Sequence, residues 1–186
     1  DPPVLNGHVL TEGIIPYLAD DVRVVLDELA KWNEADPHGI LTGKMDLRRV
    51  GVFGVSLGGI VAGEVCRADE DARLKACLII DARMTRNTVA NGLRQPAMWV
   101  TRDAETMRRE GWPEKEIDQH RTTMRAVFER MPKDGYFVEV KDFFHLNPTD
   151  IPYWWPFLTS LLNMRGRIDW RRAHEITNAY TLAFFN

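Results

Sequence analysis

The chemistry of this chain starts from a serine set among glycines: Gly54-Val55-Ser56-Leu57-Gly58, with Gly59 next. The string follows a short apolar run, Val50 to Phe53, and opens a stretch with helical spacing from about Leu57 to Ala68. A serine at a sharp turn from strand into helix is a nucleophile elbow. Crowding explains the glycines, because side chains at 54 and 58 would meet the neighbouring strand and helix. The turn pushes the hydroxyl out at the carboxyl end of a sheet. The backbone N–H of Leu57 then faces the same point and can hold an oxyanion, helped by the positive end of the new helix. The competing reading is an ordinary glycine-rich strand-to-helix turn. The strand before the string and the helix after it favour the elbow.

A serine hydroxyl needs a base, and the base needs an orienting carboxylate. After an elbow the chain order is serine, acid, histidine, so the base lies downstream of Ser56. His120 stands in a charged helical stretch (EKEIDQHR) and is expected to be solvated. His174 stands beside Arg171, Arg172 and Glu175 and reads as a surface or packing residue. His145 follows a strand directly, in Phe143-Phe144-His145-Leu146-Asn147, and so reaches the same sheet edge as Ser56. Two carboxylates compete for the acid. Asp81 ends the strand after the elbow helix. Asp103 ends the next one, where it could instead cap the following helix. Spacing alone leaves that choice open.

The elements that must position these residues are legible from periodicity. Leu18, Val22, Val25, Leu26, Leu29 and Trp32 recur at helical spacing after Pro16, a good first-turn residue. Residues 1 to 15 mix Pro, Gly and Asn and read as a loop. Apolar runs at 50–53, 76–80, 97–100 and 136–140 predict strands. Helices are expected over 57–68, 114–131 and 169–185. Strands apolar throughout, each followed by a helix or a helix-bearing connection, indicate a parallel sheet covered on both faces. The fold class is α/β.

A length of 186 residues fits one domain, 1–186, and allows folding to bury roughly 70% of the chain's surface without disulfides or metal. The net charge of −3 is weak and unclustered, against a nucleic-acid partner. Two cysteines, Cys66 and Cys77, make neither a disulfide framework nor a zinc site and read as small buried hydrophobes. No apolar run reaches 18 residues, so no transmembrane helix is expected. The chain shows no signal-peptide pattern. It begins at Asp1 rather than Met, which reads as a processed or cut end.

Three stretches resemble the α/β-hydrolase superfamily, and within it the type-II platelet-activating-factor acetylhydrolase-like and related bacterial serine esterases. VGVFGVSLGG is similar to the superfamily's elbow, LIIDARM to the segment that carries the acid, and FFHLNPTDIP to the histidine loop. The likeness runs from about Pro16 to the end. It implies a triad of Ser56, Asp81 and His145, with Asp103 in second place. It also implies hydrolysis of small-molecule or lipid-like carboxylic esters without metal or organic cofactor. One departure is large: only 55 residues precede Ser56. The superfamily places several strands there and draws its second oxyanion donor from that region. The chain therefore reads as the C-terminal portion of the fold, lacking the N-terminal strands. A second polypeptide segment is expected to complete the sheet, because the strand at 50–53 would otherwise be an unpaired apolar edge.

Met84 and Arg83, just after Asp81, are candidate neighbours of the site. Tyr153, Trp154, Trp155 and Phe157 form an aromatic cluster that lines an acyl pocket, meets a lipid or polymer surface, or packs in the core. Amides and thioesters share the same machinery with esters. A non-catalytic, hydrolase-like binding or scaffold domain is the rival from another class; the serine, carboxylate and histidine standing in order at strand ends speak against it.

Overall fold

The computed structural model describes residues 4–5, 8–9, 13–68, 73–132, 134–155 and 166–186. Two short strands, β1 (Val4–Leu5) and β2 (His8–Val9), pair antiparallel where a loop was expected. Helix α1 (Ile15–Ala35) follows, with Pro16 in its first turn. Its buried stripe is Ile15, Ala19 and Leu26, supported by Leu18 and Val22. Val25 and Trp32, expected on that stripe, are 58% and 43% exposed, because the inward face is narrower than the apolar pattern.

The sheet comprises β3 (Val50–Val55), β4 (Leu74–Ile80), β5 (Ala97–Arg102) and β6 (Gly135–Val140), adjacent in that order and all parallel. The connections carry α2 (Leu57–Ala68) after β3, α3 (Arg86–Asn91) after β4, and α4 (Ala104–Arg109) and α5 (Glu114–Phe128) after β5. After β6 come α6 (Ile151–Trp154) and α7 (Trp170–Phe185). No helix among the described residues is long and apolar enough to cross a membrane.

Strand pleating explains why the runs are apolar throughout. In β4, Cys77 and Ile79 pack with Ala62 and Cys66 of α2 and with Met124 and Val127 of α5. Leu78 and Ile80 face the opposite way, into a cluster with Phe143 and Ala173 of α7. Alternate residues point to opposite faces, and both faces are covered. Both cysteines are free and buried, and the Cys77 thiol donates to the Ala62 carbonyl at 3.4 Å. The strand expected at 97–100 runs on through Thr101 and Arg102, both buried although polar. The six-residue helix α3 was not expected, whereas α4 is the helix that Asp103 was a candidate to cap; Thr85 and Asp103 cap them by accepting from the N–H groups of Thr88 and Thr106.

All four strands point their carboxyl ends at one edge of the sheet. Ser56 therefore follows β3, Asp81 follows β4, Asp103 follows β5, and His145 lies in the loop after β6. Among the described residues no strand pairs with the outer edge of β3, where Phe53 is 62% exposed.

The elbow glycines divide differently from the expectation. A Cβ on Gly54 would stand 2.1 Å from the Gly58 carbonyl oxygen. One on Gly59 would stand 2.6 Å from the Ala82 Cβ, whereas one on Gly58 would meet nothing within 4 Å. Gly54 and Gly59, not Gly58, allow the close approach. Gly54→Ala should lower the urea midpoint of unfolding by an amount equivalent to about 3 kcal/mol, the upper end of usual overpacking costs. Gly58→Ala should be tolerated and gain up to about 1 kcal/mol from helix propensity. Equal losses from the two substitutions would contradict this division.

Candidate active site

Ser56 has φ 57°, a left-handed conformation that costs about 1–3 kcal/mol in a residue with a side chain. The close approach of Gly54 to Gly58 imposes it, and the Ser56 N–H donates to the Ile80 carbonyl at 3.0 Å, tying the turn to the end of β4. Leu57 is the first residue of α2, so its N–H is one of the first-turn donors with no partner inside the helix. Asp81 is also left-handed, φ 47°, and its N–H donates to the Val100 carbonyl at 2.8 Å. Phe143 and Phe144 are buried and anchor the loop that carries His145.

These three side chains form one hydrogen-bonded row. His145 Nε2 lies 2.9 Å from Ser56 Oγ, and Nδ1 lies 2.6 Å from Asp81 Oδ2. An ionised carboxylate can only accept, so Nδ1 carries the proton and Nε2 is left to accept from the serine hydroxyl. Such a row can raise the nucleophilicity of a hydroxyl and return a proton to a leaving group.

Asp81 is 1% exposed and holds more contacts than His145 alone provides. Thr101 Oγ1 donates to Oδ1 at 3.1 Å, and His120 Nε2 stands 3.3 Å from the same oxygen. Arg102 Nε stands 2.9 Å from Oδ2. Burial pushes the Asp81 carboxyl up, but the contacts with His120 and His145 and the Arg102 charge outweigh it and hold the group far below the usual carboxylate range.

His120, expected in solvent, is inside the protein. It is 3% exposed and faces Asp81 rather than solvent, because α5 turns Ile117, His120 and Met124 inward together while Glu116, Asp118 and Arg121 flank them. Asp103 lies apart from the row: it caps α4 and accepts the Asp142 N–H at 2.9 Å, steadying the loop before His145. His174 is a packing residue, its Nε2 2.8 Å from the Thr149 carbonyl and its ring against Tyr153.

A cavity of about 300 Å³ adjoins Ser56 and His145, with Ile60, Arg83, Trp112 and Glu116 in its lining. Met84 is not there. It is buried in the core below, with its sulfur packed where a Cβ on Gly63 would stand 3.3 Å away. Trp154 and Trp155 are 79% and 61% exposed and do not line this cavity, because the short helix α6 turns them outward. Phe157 lies outside the described residues. Arg102, Glu110 and Trp112 surround the row and carried no sequence signal beyond a strand running on into a polar Thr-Arg pair.

The architecture has a close structural parallel. A ferulic acid esterase from Streptomyces cinnamoneus superposes with a TM-score of 0.69 and 27% identity over 93% of this chain. The chain has the α/β-hydrolase fold. It spans about half of that esterase, 48% of its length. An acylaminoacyl peptidase from Pyrococcus horikoshii also aligns, with a TM-score of 0.47 and 12% identity over 82% of this chain and 30% of that one. No protein-family model and no curated protein sequence matches the chain.

In this α/β-hydrolase fold the depressed Asp81 carboxyl links stability to pH. A carboxylate whose folded value lies below its unfolded one stabilises fully above the ordinary carboxylate range, about pH 4, and loses that contribution as pH falls toward the folded value. Urea midpoints measured from pH 7 to pH 3 should therefore fall on the acid side, and Asp81→Asn should make that fall shallower while lowering stability at pH 7. Parallel acid-side curves for the two proteins would contradict the linkage.

Proposed function

We propose that this chain carries the catalytic residues of a serine hydrolase acting on carboxylic esters. The observation that carries the reading is the row from Ser56 Oγ through His145 to Asp81, 2.9 Å and 2.6 Å, on a serine held at positive φ. His145 Nε2 takes the Ser56 proton as Oγ attacks the ester carbonyl carbon. The oxyanion develops beside the Leu57 N–H and the amino end of α2. The imidazolium, steadied by Asp81, protonates the leaving alcohol as the C–O bond breaks and the acyl-enzyme forms. Water, deprotonated by the same nitrogen, releases the acid and restores Ser56.

Two likenesses favour an ester over an amide or thioester. One is the resemblance of the LIIDARM and FFHLNPTDIP stretches to the platelet-activating-factor acetylhydrolase-like and bacterial esterases. The other is the fold shared at 27% identity with a protein named as a ferulic acid esterase. Hydrolysis of p-nitrophenyl acetate and fluorophosphonate labelling should both vanish in Ser56→Ala. Asp81→Asn should lower kcat by about 10⁴-fold, as loss of the orienting carboxylate does in such triads. Asp103→Asn keeps a capping side chain and should lower it far less. Labelling that persists in Ser56→Ala would remove the nucleophile, and a large loss in Asp103→Asn alone would move the acid.

The outer edge of β3, with Phe53 exposed, is the surface on which a further segment would complete the sheet, either an earlier part of the same precursor or a second polypeptide. Intact mass and N-terminal sequencing of the active material should reveal that segment. A monomeric, fully active species of 186 residues would rule it out.

A further inference from the structure

Arg102 is fully buried between two carboxylates. Its Nε stands 2.9 Å from Asp81 Oδ2, the oxygen that also faces His145 Nδ1. Its Nη1 pairs with Glu110 Oε2, and the Trp112 ring covers the guanidinium with its centroid 4.4 Å from Cζ. The other oxygen of Glu110, Oε1, accepts the backbone N–H of His145 at 3.0 Å. Glu110 therefore touches both the charge network and the loop that carries the imidazole.

A guanidinium on that oxygen works against the proposed mechanism. Asp81 and Arg102 alone form a neutral pair, and an imidazolium beside a neutral pair gains little. With Glu110 included the group carries one net negative charge, which His145 balances when it takes the serine proton. We propose that Glu110 is a positioning residue that offsets Arg102, leaving the charge of Asp81 for His145, while its second oxygen fixes the His145 backbone. The inference rests on the reading of His145 as the base. The other charged or titratable groups about His145 are Arg83 after β4 and Glu116 and His120 of α5; Asp142, on its own loop, is tied to Arg109.

The proposal predicts signs. Removing the Glu110 charge makes the surroundings of His145 more positive and favours the neutral ring. Removing the Arg102 charge does the reverse. The experiment is an NMR titration of the His145 Cε1–H, assigned by its absence in His145→Gln, on the complete protein. Glu110→Gln, which keeps an oxygen for the His145 N–H, should lower the titration midpoint by about one pH unit. Arg102→Met should raise it, and the double variant should return near the original value. Glu110→Asp, which keeps the charge, should leave it near the original even where activity falls, and the acid limb of kcat/KM should move with the midpoint. A midpoint unmoved in Glu110→Gln would overturn the proposal and leave Glu110 a structural anchor. If Arg102→Met does not fold, the direction of the Glu110→Gln shift decides alone. The titration needs no turnover, so it fails separately from the hydrolase reading, which Ser56→Ala labelling tests.

Discussion

One buried charge governs the arrangement. Asp81 follows β4 inside the protein, 1% exposed, where an isolated carboxylate would be far from stable. Its ionised state is held by a surrounding set: the Thr101 hydroxyl and His120 on one oxygen, Arg102 and His145 on the other. Each partner brings its own requirement. Arg102, equally buried, needs a second carboxylate, and Glu110 provides it. His120 must be turned inward with Ile117 and Met124, away from its charged neighbours Glu116, Asp118 and Arg121. The residues around the hydrogen-bonded row thus answer the cost of burying Asp81.

The sheet makes this assembly possible with few residues. Parallel strands deliver consecutive carboxyl ends to one edge, so residues 56, 81 and 145, distant in sequence, need only short loops to meet. The loops are fixed rather than adaptable. Ser56, Asp81 and Asp142 all adopt positive φ, and a hydrogen bond or the close packing of glycine backbone holds each of them. Strain at these positions is sustained by the packed core beneath.

Sequence reveals what the backbone dictates and hides what burial decides. The elbow was legible because a strand, a glycine-bounded serine and a helix appear in order, and His145 because it follows a strand. The central runs of β4 and β5 were legible because both faces of the sheet are covered there, which removes polar alternation. Spacing did not separate Asp81 from Asp103, since each follows strand residues, and only the resemblance of LIIDARM pointed to Asp81; their hydrogen bonds distinguish a carboxylate facing His145 from one capping α4. His120 was hidden because its neighbours in EKEIDQHR are charged, while its inward turn depends on helical phase relative to Ile117 and Met124. Arg102 was hidden because arginine is rarely buried and nothing local announces a partner eight residues on.

The elbow strand lies at the border of the sheet. Among the described residues β3 is an edge, with Phe53 open to solvent and one row of backbone groups unpaired. Ser56 stands at the end of that same edge, beside the Leu57 N–H that the proposed mechanism uses as an oxyanion donor. A strand paired parallel to β3 would satisfy the free backbone groups and bring the loop at its own carboxyl end beside Ser56. That loop is where a second oxyanion donor would have to stand, and a missing donor costs about 10²–10³ in rate. The demand for sheet stability and the demand for oxyanion stabilisation therefore fall on one surface, and a single added strand would answer both.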